Sequence, residues 1–320
     1  MICSGDLTVN DAQDETTAHG SLGAQFVRRL RKSGHLRACA QLAGRLGLRG
    51  PQVELQAKLR AKGIYWYDTP NAPSEVKALA ALASNKLLMR HYVKSLGLRL
   101  PEIYQDVSDV DAIDFARLPD RIVIKPHNGW DSDAVMLMAG DRELLSNTAV
   151  PRATLAEFCR KTLATARFAA KPRIIVEEFV QDYDPQFAIP RDFKVYVAGG
   201  RARIIQVIDR NGPKAQRNHS FYTREWTKFE DAFQTTYLPG LPVRQPPLLP
   251  QLISAAEVMA ADLGAFLRLD FYLTPDSPVF GEITWSPFDG RDFTRLGARH
   301  LCDLMDSYRD NIRADLASGA

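Results

Sequence analysis

Asp270 and Glu282 are the residues from which chemistry can first be argued in this chain. They lie in the stretch Phe266-Leu-Arg-Leu-Asp-Phe-Tyr-Leu-Thr-Pro-Asp-Ser-Pro-Val-Phe-Gly-Glu-Ile-Thr-Trp285. Apolar-rich runs flank Thr274-Pro275-Asp276-Ser277-Pro278, whose residue types favour a turn, so the stretch predicts a β-hairpin. Folded symmetrically about Asp276, the hairpin sets Asp270 opposite Glu282 and Arg268 opposite Thr284. Side chains alternate between faces along a strand, so these four share one face with Phe266, Tyr272 and Phe280. Directly opposed side chains stand about 4.5–5.5 Å apart, where like charges repel. A divalent cation resolves the conflict. Magnesium takes oxygen ligands and commonly works through one or two carboxylates together with nucleotide phosphates. On these residues alone, a carboxylate solvated on an exposed sheet face is the alternative.

The elements that must carry such a site follow from pattern. Arg121 to Pro126 predicts a strand, followed by the polar loop His127-Asn-Gly-Trp-Asp-Ser-Asp133 and a second strand from Ala134 to Met138. A lysine at a strand end, Lys125, can neutralise phosphate oxygens beside a loop of free backbone N–H groups. Exposed strand-end lysines are also common. Thr154 and Glu157 form a capping-box pair that opens a helix through about Phe168. Arg173 to Val180 predicts a strand whose end, Glu177-Glu178-Phe179-Val180, can read an adenine edge through its backbone while Phe179 and Val180 pack on the ring. The alternative is a buried strand ending in solvated glutamates. Asp192 to Ala198, the Gly199-Gly200 turn and Arg201 to Arg210 predict a hairpin. Asp192 and Lys194 then share a face, suited to a ribose hydroxyl and a phosphate, or to a surface ion pair of little energetic weight.

Around these, residues 1–20 read as disordered and residues 24 to about 62 as helical, with a break near Gly50-Pro51. Ile64 to Pro73 is an aromatic connector. Ser74 suits the N-cap of a helix ending at Gly97, with Pro101 just beyond. Residues 211–250 form a long polar, aromatic and proline-rich stretch. A helix from about Ser254 stops at Gly264, and another starts near Asp292. Strands interspersed with helices predict an α+β chain with largely antiparallel sheets.

Composition narrows the class. At 320 residues, with 45% hydrophobic and 25% charged content, the chain can bury a substantial core split over two or three subdomains. Cys3, Cys39, Cys159 and Cys302 stand far apart, with no metal or redox spacing, as in a reduced cytoplasmic protein. No apolar run is long enough to span a membrane, and the polar N-terminus lacks the pattern of a secretion signal. Net charge is only +3, but Arg28, Arg29, Arg31, Lys32, Arg37, Arg45, Arg49, Lys58, Arg60 and Lys62 face the single acid Glu54 between residues 26 and 62. Such a segment can dock an anionic partner, or be the solvated faces of two helices. No aromatics interleave with these charges, so a nucleic-acid partner is not expected. Walker-type loops, Gly-x-Gly-x-x-Gly and Gly-x-Ser-x-Gly elbows are absent from the sequence.

The ordered set Lys125-Pro126, Val176-Glu-Glu-Phe179, Asp192-Phe-Lys194, Asp209-Arg210, Arg268-x-Asp270 and Phe280-Gly-Glu-Ile-Thr284 resembles an ATP-grasp enzyme. The wording of its last two members is most similar to the TupA-like group, linked to cell-surface polysaccharide modification. The resemblance runs from about Asn85-Lys86 to about Gly290. It implies an ATP-grasp fold: two α+β lobes with mainly antiparallel sheets sandwiching ATP, after a helical N-terminal region. The lobes would be residues 85–180 and 181–320, preceded by a basic helical region 21–84 and the tail 1–20. Lys86 and Lys125 would hold ATP phosphates, Glu177, Glu178, Phe179 and Val180 the adenine, Asp192 the ribose, and Lys194 a phosphate. Asp270, Glu282 and Thr284 would carry Mg2+, with Arg268 at the reacting centre. Thr284 stands where many ATP-grasp enzymes have asparagine, and Trp130 and Asp131 replace small residues of the phosphate loop. If Gly199-Gly200 is a plain two-residue turn, parity puts Arg210 on the face away from Asp192. Arg210 reaches the site as a catalytic group only if the strand bulges or ends before it; Arg217 and Asn218 are the alternatives at the terminal phosphate.

The activity so implied is that of an ATP-dependent ligase. A small-molecule or glycan carboxylate would become an acyl phosphate and then an amide with an amine, in polysaccharide or small-metabolite biosynthesis. Trp130, Tyr222, Trp226, Trp285 and Phe288 would wall the acceptor pocket. The alternatives are a phosphotransferase acting on a small molecule or sugar, and a non-catalytic nucleotide- or polyanion-binding protein.

Overall fold

The computed structural model describes residues 50–61, 73–127, 133–165, 173–231 and 233–312. The tail 1–20, the basic segment up to Arg49, most of the aromatic connector, and Trp130 and Asp131 lie outside the described residues. The chain divides into two compact units after Gly50, and everything below concerns the second.

Its helices are α1 (Pro51–Ala61), α2 (Ser74–Ser84), α3 (Lys86–Ser95), α4 (Leu155–Ala164), α5 (Leu249–Leu263) and α6 (Arg295–Ser307). Among the described residues, twelve strands form two sheets. The first has the order β1 (Ile103–Val107), β6 (Ile174–Glu178), β2 (Arg121–Pro126), β3 (Met136–Ala139), β4 (Arg142–Glu143), β5 (Thr148–Ala149). The second runs β10 (Leu238–Pro239), β9 (Asn218–Thr223), β8 (Arg201–Asp209), β7 (Asp192–Ala198), β11 (Leu267–Leu273), β12 (Pro278–Thr284). All strand pairs are antiparallel except β9 with β10, so the α+β class and the mainly antiparallel sheets hold.

Period-two burial decides which face each sheet offers. In β2, Ile122 and Ile124 are buried and join Met136, Met138 and Val176 against Leu155, Cys159 and Leu163 of α4. Lys125 and Glu177 are left on the opposite face of the first sheet. In the second sheet, Val195, Ile205, Leu269 and Phe271 pack under Leu79, Met89, Leu252 and Met259 of α2, α3 and α5. Burying each such side chain contributes about 1.5–3 kcal/mol. On the other face, Leu55 and Leu59 of α1 and Leu301 of α6 cover only the part around Ile204, Phe221 and Phe266. The remainder of that face carries the charged residues. Thus α3, expected to begin the first lobe, and α1, expected in a separate basic region, both pack with the second sheet. Lys58 in α1 is paired with Glu54 and Asp306.

Several expectations change in physical detail. The single helix from Ser74 to Gly97 is broken at Asn85, whose extended backbone ends α2 while its side chain accepts from Leu87 and Leu88 N–H at 3.0 and 3.1 Å. Thr154 makes no capping box: its hydroxyl donates to the Pro151 carbonyl and Glu157 pairs with Lys161. The 211–250 stretch contains β9, hidden from pattern because both of its faces are buried. Gly264 does stop α5, in the left-handed conformation; a Cβ there would lie 1.9 Å from the Asn311 carbonyl oxygen. The preceding helix starts at Leu249, five residues before the expected Ser254.

The β11–β12 hairpin keeps the expected pairs, Arg268 with Thr284 and Asp270 with Glu282. Beyond them a bulge at Gly281 shifts the register, so that Phe271 meets Phe280 and Tyr272 meets Val279. Phe280 therefore leaves the face of Asp270 and packs edge-to-face on Phe271, 5.3 Å between ring centroids.

Candidate active site

Two rows of side chains cross the charged face of the second sheet. Lys194, Asp270 and Glu282 face one another across β7, β11 and β12, and Tyr196, Arg268 and Thr284 make the adjacent row. Within them the Asp270 carboxylate is held on two sides. Arg268 donates to it from Nε and Nη2 at 2.7 and 2.9 Å, and Lys194 donates from Nζ. Burial alone would raise the Asp270 carboxyl, but the charges of Arg268 and Lys194 outweigh it and hold the group below the ordinary carboxylate range. For Arg268 burial works to lower the guanidinium, and Asp270 again wins, raising it. The repulsion between the opposed carboxylates is thus answered by two protein cations. Arg268 Nη2 also donates to Thr284 Oγ1 at 2.8 Å, so Thr284 meets Arg268 as an acceptor. Over Arg268, 5.6 Å away, lies the ring of Phe288, in a turn where Phe288 and Asp289 both have positive φ.

The first sheet and α3 supply the opposing group. Lys125 pairs with the buried Glu177, whose other oxygen is 3.7 Å from Arg90. Lys86, at the start of α3, is pushed down to about 8 by burial and by the charge of Lys125, with Glu282 and Glu177 pulling the other way. A lysine that feels Lys125, Glu177 and Glu282 together stands where the two sheets face each other. Glu178 turns elsewhere: its carboxylate accepts from Arg99 Nη2 at 2.8 Å and from Glu102 N–H at 3.1 Å. Phe179 and Val180 are buried, and the Arg121 guanidinium covers the Phe179 ring at 4.4 Å. The Glu178 side chain is therefore committed away from the face that Lys125 and Glu177 share.

Arg210 comes to the face of Asp192 because β8 both bulges and ends before it. Pairing skips from Tyr196–Ile204 to Val197–Ala202, leaving Arg203 as a bulge that shifts parity, and β8 ends at Asp209. Arg210 then falls beside Asp192 and pairs with it. Burial opposes the charge on Arg210, but Asp192 raises it, with Tyr272 and Tyr237 adding to the effect. Arg217 donates to the Leu145 carbonyl of the first lobe at 3.1 Å, and its Nε is buried without a hydrogen-bond partner among the described residues.

The aromatic wall is largely corrected. Tyr222 and Trp226 stack at 4.2 Å between ring centroids, and with Trp285 they pack in the core on the far side of the sheet. Phe288 does stand beside Arg268. Pattern reading passed over Tyr196 and Arg90. Tyr196 has the strand parity of Asp192 and Lys194, and Arg90 lies one helical turn after Lys86.

A magnesium ion fits this donor set. Among the described residues no group of three or more His, Cys, Asp and Glu side chains gathers around one point. Two opposed carboxylates and a hydroxyl make an incomplete oxygen site, one that nucleotide phosphates and water would finish. Lys86, Arg90, Lys125, Lys194, Arg210 and Arg268 together outnumber Glu177, Asp192, Asp270 and Glu282 by two charges, which suits a polyphosphate carrying one divalent ion.

A family model for TupA-like ATP-grasp proteins matches residues 76–303, and this chain belongs to that family. No curated protein matches it significantly. Among solved structures it is similar to the D-alanine–D-alanine ligase from Helicobacter pylori, at 17% identity over 75% of this chain and 62% of that one, with a TM-score of 0.39. The D-alanine–D-alanine ligase from Bacillus anthracis is 12% identical over 72% of this chain and 68% of that one, TM-score 0.47. An L-amino acid ligase from Bacillus licheniformis is 15% identical over 75% and 56%, TM-score 0.43. This chain therefore spans less than two thirds of the Helicobacter pylori and Bacillus licheniformis chains. No helix among the described residues is long and apolar enough to cross a membrane.

Proposed function

We propose that this protein is an ATP-dependent ligase that joins a carboxylic acid to an amine through an acyl phosphate. The observation that carries the reading is that Glu282, which faces Asp270 and Lys194 across the sheet, lies within electrostatic reach of Lys86, which also feels Lys125 and Glu177. A phosphate-binding lysine pair and a carboxylate pair suited to magnesium then act on one polyphosphate. Family membership supports the same conclusion.

In this reading Lys86 and Lys125 take phosphate oxygens. The backbone of Glu177 to Val180 meets the base, and Asp192 shares its carboxylate between Arg210 and a ribose hydroxyl. Asp270, Glu282 and Thr284 would hold Mg2+, which when bound offsets charge on the phosphates. A carboxylate oxygen of the acid attacks the γ-phosphorus and ADP leaves. The amine nitrogen then attacks the acyl carbon, and inorganic phosphate leaves. Arg268, fixed by Asp270 and Thr284, stabilises the oxyanion of the tetrahedral adduct without reorganising. Phe288 helps keep water from the acyl phosphate. The acid is a small molecule or glycan carboxylate, and polysaccharide or small-metabolite biosynthesis is the setting.

Incubation with ATP, Mg2+, hydroxylamine and a panel of carboxylic acids tests this. Hydroxamate and ADP should appear together, only with the right acid. ADP without hydroxamate for every acid would instead indicate phosphoryl transfer to another group, and neither product would indicate binding alone. Asp270→Asn should lower hydroxamate formation at least about 1,000-fold, as expected when metal and Arg268 are both misplaced.

A further inference from the structure

Lys194 occupies the position where a metal ligand would have to open. Asp270 is 7% exposed, and its Oδ2 accepts from both Lys194 and Arg268 while Oδ1 accepts from Arg268 alone. The Glu282 carboxylate, across the strand, makes no hydrogen bond or ion pair with any described residue. The pair is therefore asymmetric: one carboxylate is fully engaged by cations and the other is not. Arg268 is anchored a second time by Thr284, whereas the only described partner of the Lys194 ammonium is Asp270. Of the two cations on Asp270, lysine is the one able to leave, being a compact charge on a flexible stem.

We propose that Lys194 is a placeholder cation, which excludes free divalent metal from Asp270 and is released to the nucleotide phosphates as the metal arrives with them. The proposal rests on the metal assignment made above. It follows from charge and geometry. A free divalent ion entering this cleft meets an excess of positive charge and must displace Lys194 into it. An ion that arrives on a polyphosphate brings the anion that both neutralises the cleft and gives the Lys194 ammonium a new partner. Metal and nucleotide then bind with positive coupling, each raising the affinity of the other by the same factor.

The test uses the full chain, Mn2+ as the metal and AMP-PNP as the nucleotide, with bound Mn2+ read by electron paramagnetic resonance. Wild type should bind Mn2+ at least 10-fold more tightly with AMP-PNP than without it. Lys194→Met should bind free Mn2+ at least 10-fold more tightly than wild type and lose most of the nucleotide coupling, and adding Asp270→Asn should abolish that gain. Lys194→Arg, which keeps the charge, should bind free Mn2+ as weakly as wild type. Lys161→Met removes a lysine charge paired with Glu157 on α4, outside the cleft, and should leave free Mn2+ affinity within about twofold. If Lys194→Met binds free Mn2+ no better than wild type, or if Lys194→Arg or Lys161→Met gains as much, the placeholder role is wrong. If wild type with AMP-PNP binds no Mn2+ at all, the metal assignment itself fails.

Discussion

Lys86 carries the sharpest consequence at the scale of single residues. Its ammonium is pushed down to about 8 from 10.5 by burial and by Lys125. Phosphate favours the charged form, so nucleotide binding above about pH 8 should draw a proton onto the protein. Calorimetry near pH 9, in two buffers of different ionisation enthalpy, should show uptake approaching one proton, and Lys86→Arg should abolish it. The same shift sets the sign for stability. The unfolded chain binds more protons than the folded one between about pH 8 and 10.5, so this group adds stability as pH rises through that window. The opposed pair Asp270–Glu282 was legible because a hairpin with a clear turn fixes parity from residue types alone. Its cations were only half legible. Arg268 announced itself by parity on the same strand, but Lys194 lies 76 residues before Asp270 in sequence, and only the sheet order brings the two together.

Elements position these residues through irregularities that periodicity does not encode. The bulge at Gly281 sends Phe280 into the core, and the bulge at Arg203 delivers Arg210 to Asp192; both depend on what the neighbouring strand accommodates. A Cβ on Gly281 would lie 3.3 Å from the Asp270 carbonyl oxygen, so the close approach favours glycine there. The Asn85 break was likewise invisible to a helical pattern that runs through it, yet it places Lys86 at a helix start. The link between the lobes is fixed by a different device. Asp182 accepts from Arg191 Nε and Nη2 at 3.0 and 2.7 Å, both residues buried, and the guanidinium lies 3.8 Å from the centre of the half-buried Phe187 ring. Asp182→Ala would strand that charge in an apolar site. Urea unfolding should show a loss of about 3–5 kcal/mol, whereas a loss below about 1 kcal/mol would mean the pair does not hold the link.

At the scale of the whole molecule, the two sheets are cross-braced beyond their covalent link. Arg99 joins Glu178 of the first sheet to Thr274 in the β11–β12 turn, Arg217 reaches Leu145, and the Arg121 guanidinium donates to the Ala188 carbonyl in the linking segment. The α2–α3 pair extends the second core toward the first lobe, carrying Lys86 with it. Such bracing should make this unit unfold as one: thermal melts followed by far-UV and near-UV circular dichroism should coincide, and two separated transitions would show independent lobes. ATP with Mg2+ at about 100 times its dissociation constant should stabilise the unit by about 2.7 kcal/mol, as binding to the folded state alone requires.

Acyl-phosphate chemistry leaves an isotopic record that no other reading of the cleft produces. An acid that supports hydroxamate formation, labelled with 18O in its carboxylate, should be turned over with ATP, Mg2+ and its amine, and the phosphate product analysed by 31P NMR. One 18O atom should appear in each inorganic phosphate released, because the carboxylate oxygen that attacked the γ-phosphorus leaves with it. Inorganic phosphate free of label, alongside full turnover of ATP, would contradict the ligase mechanism.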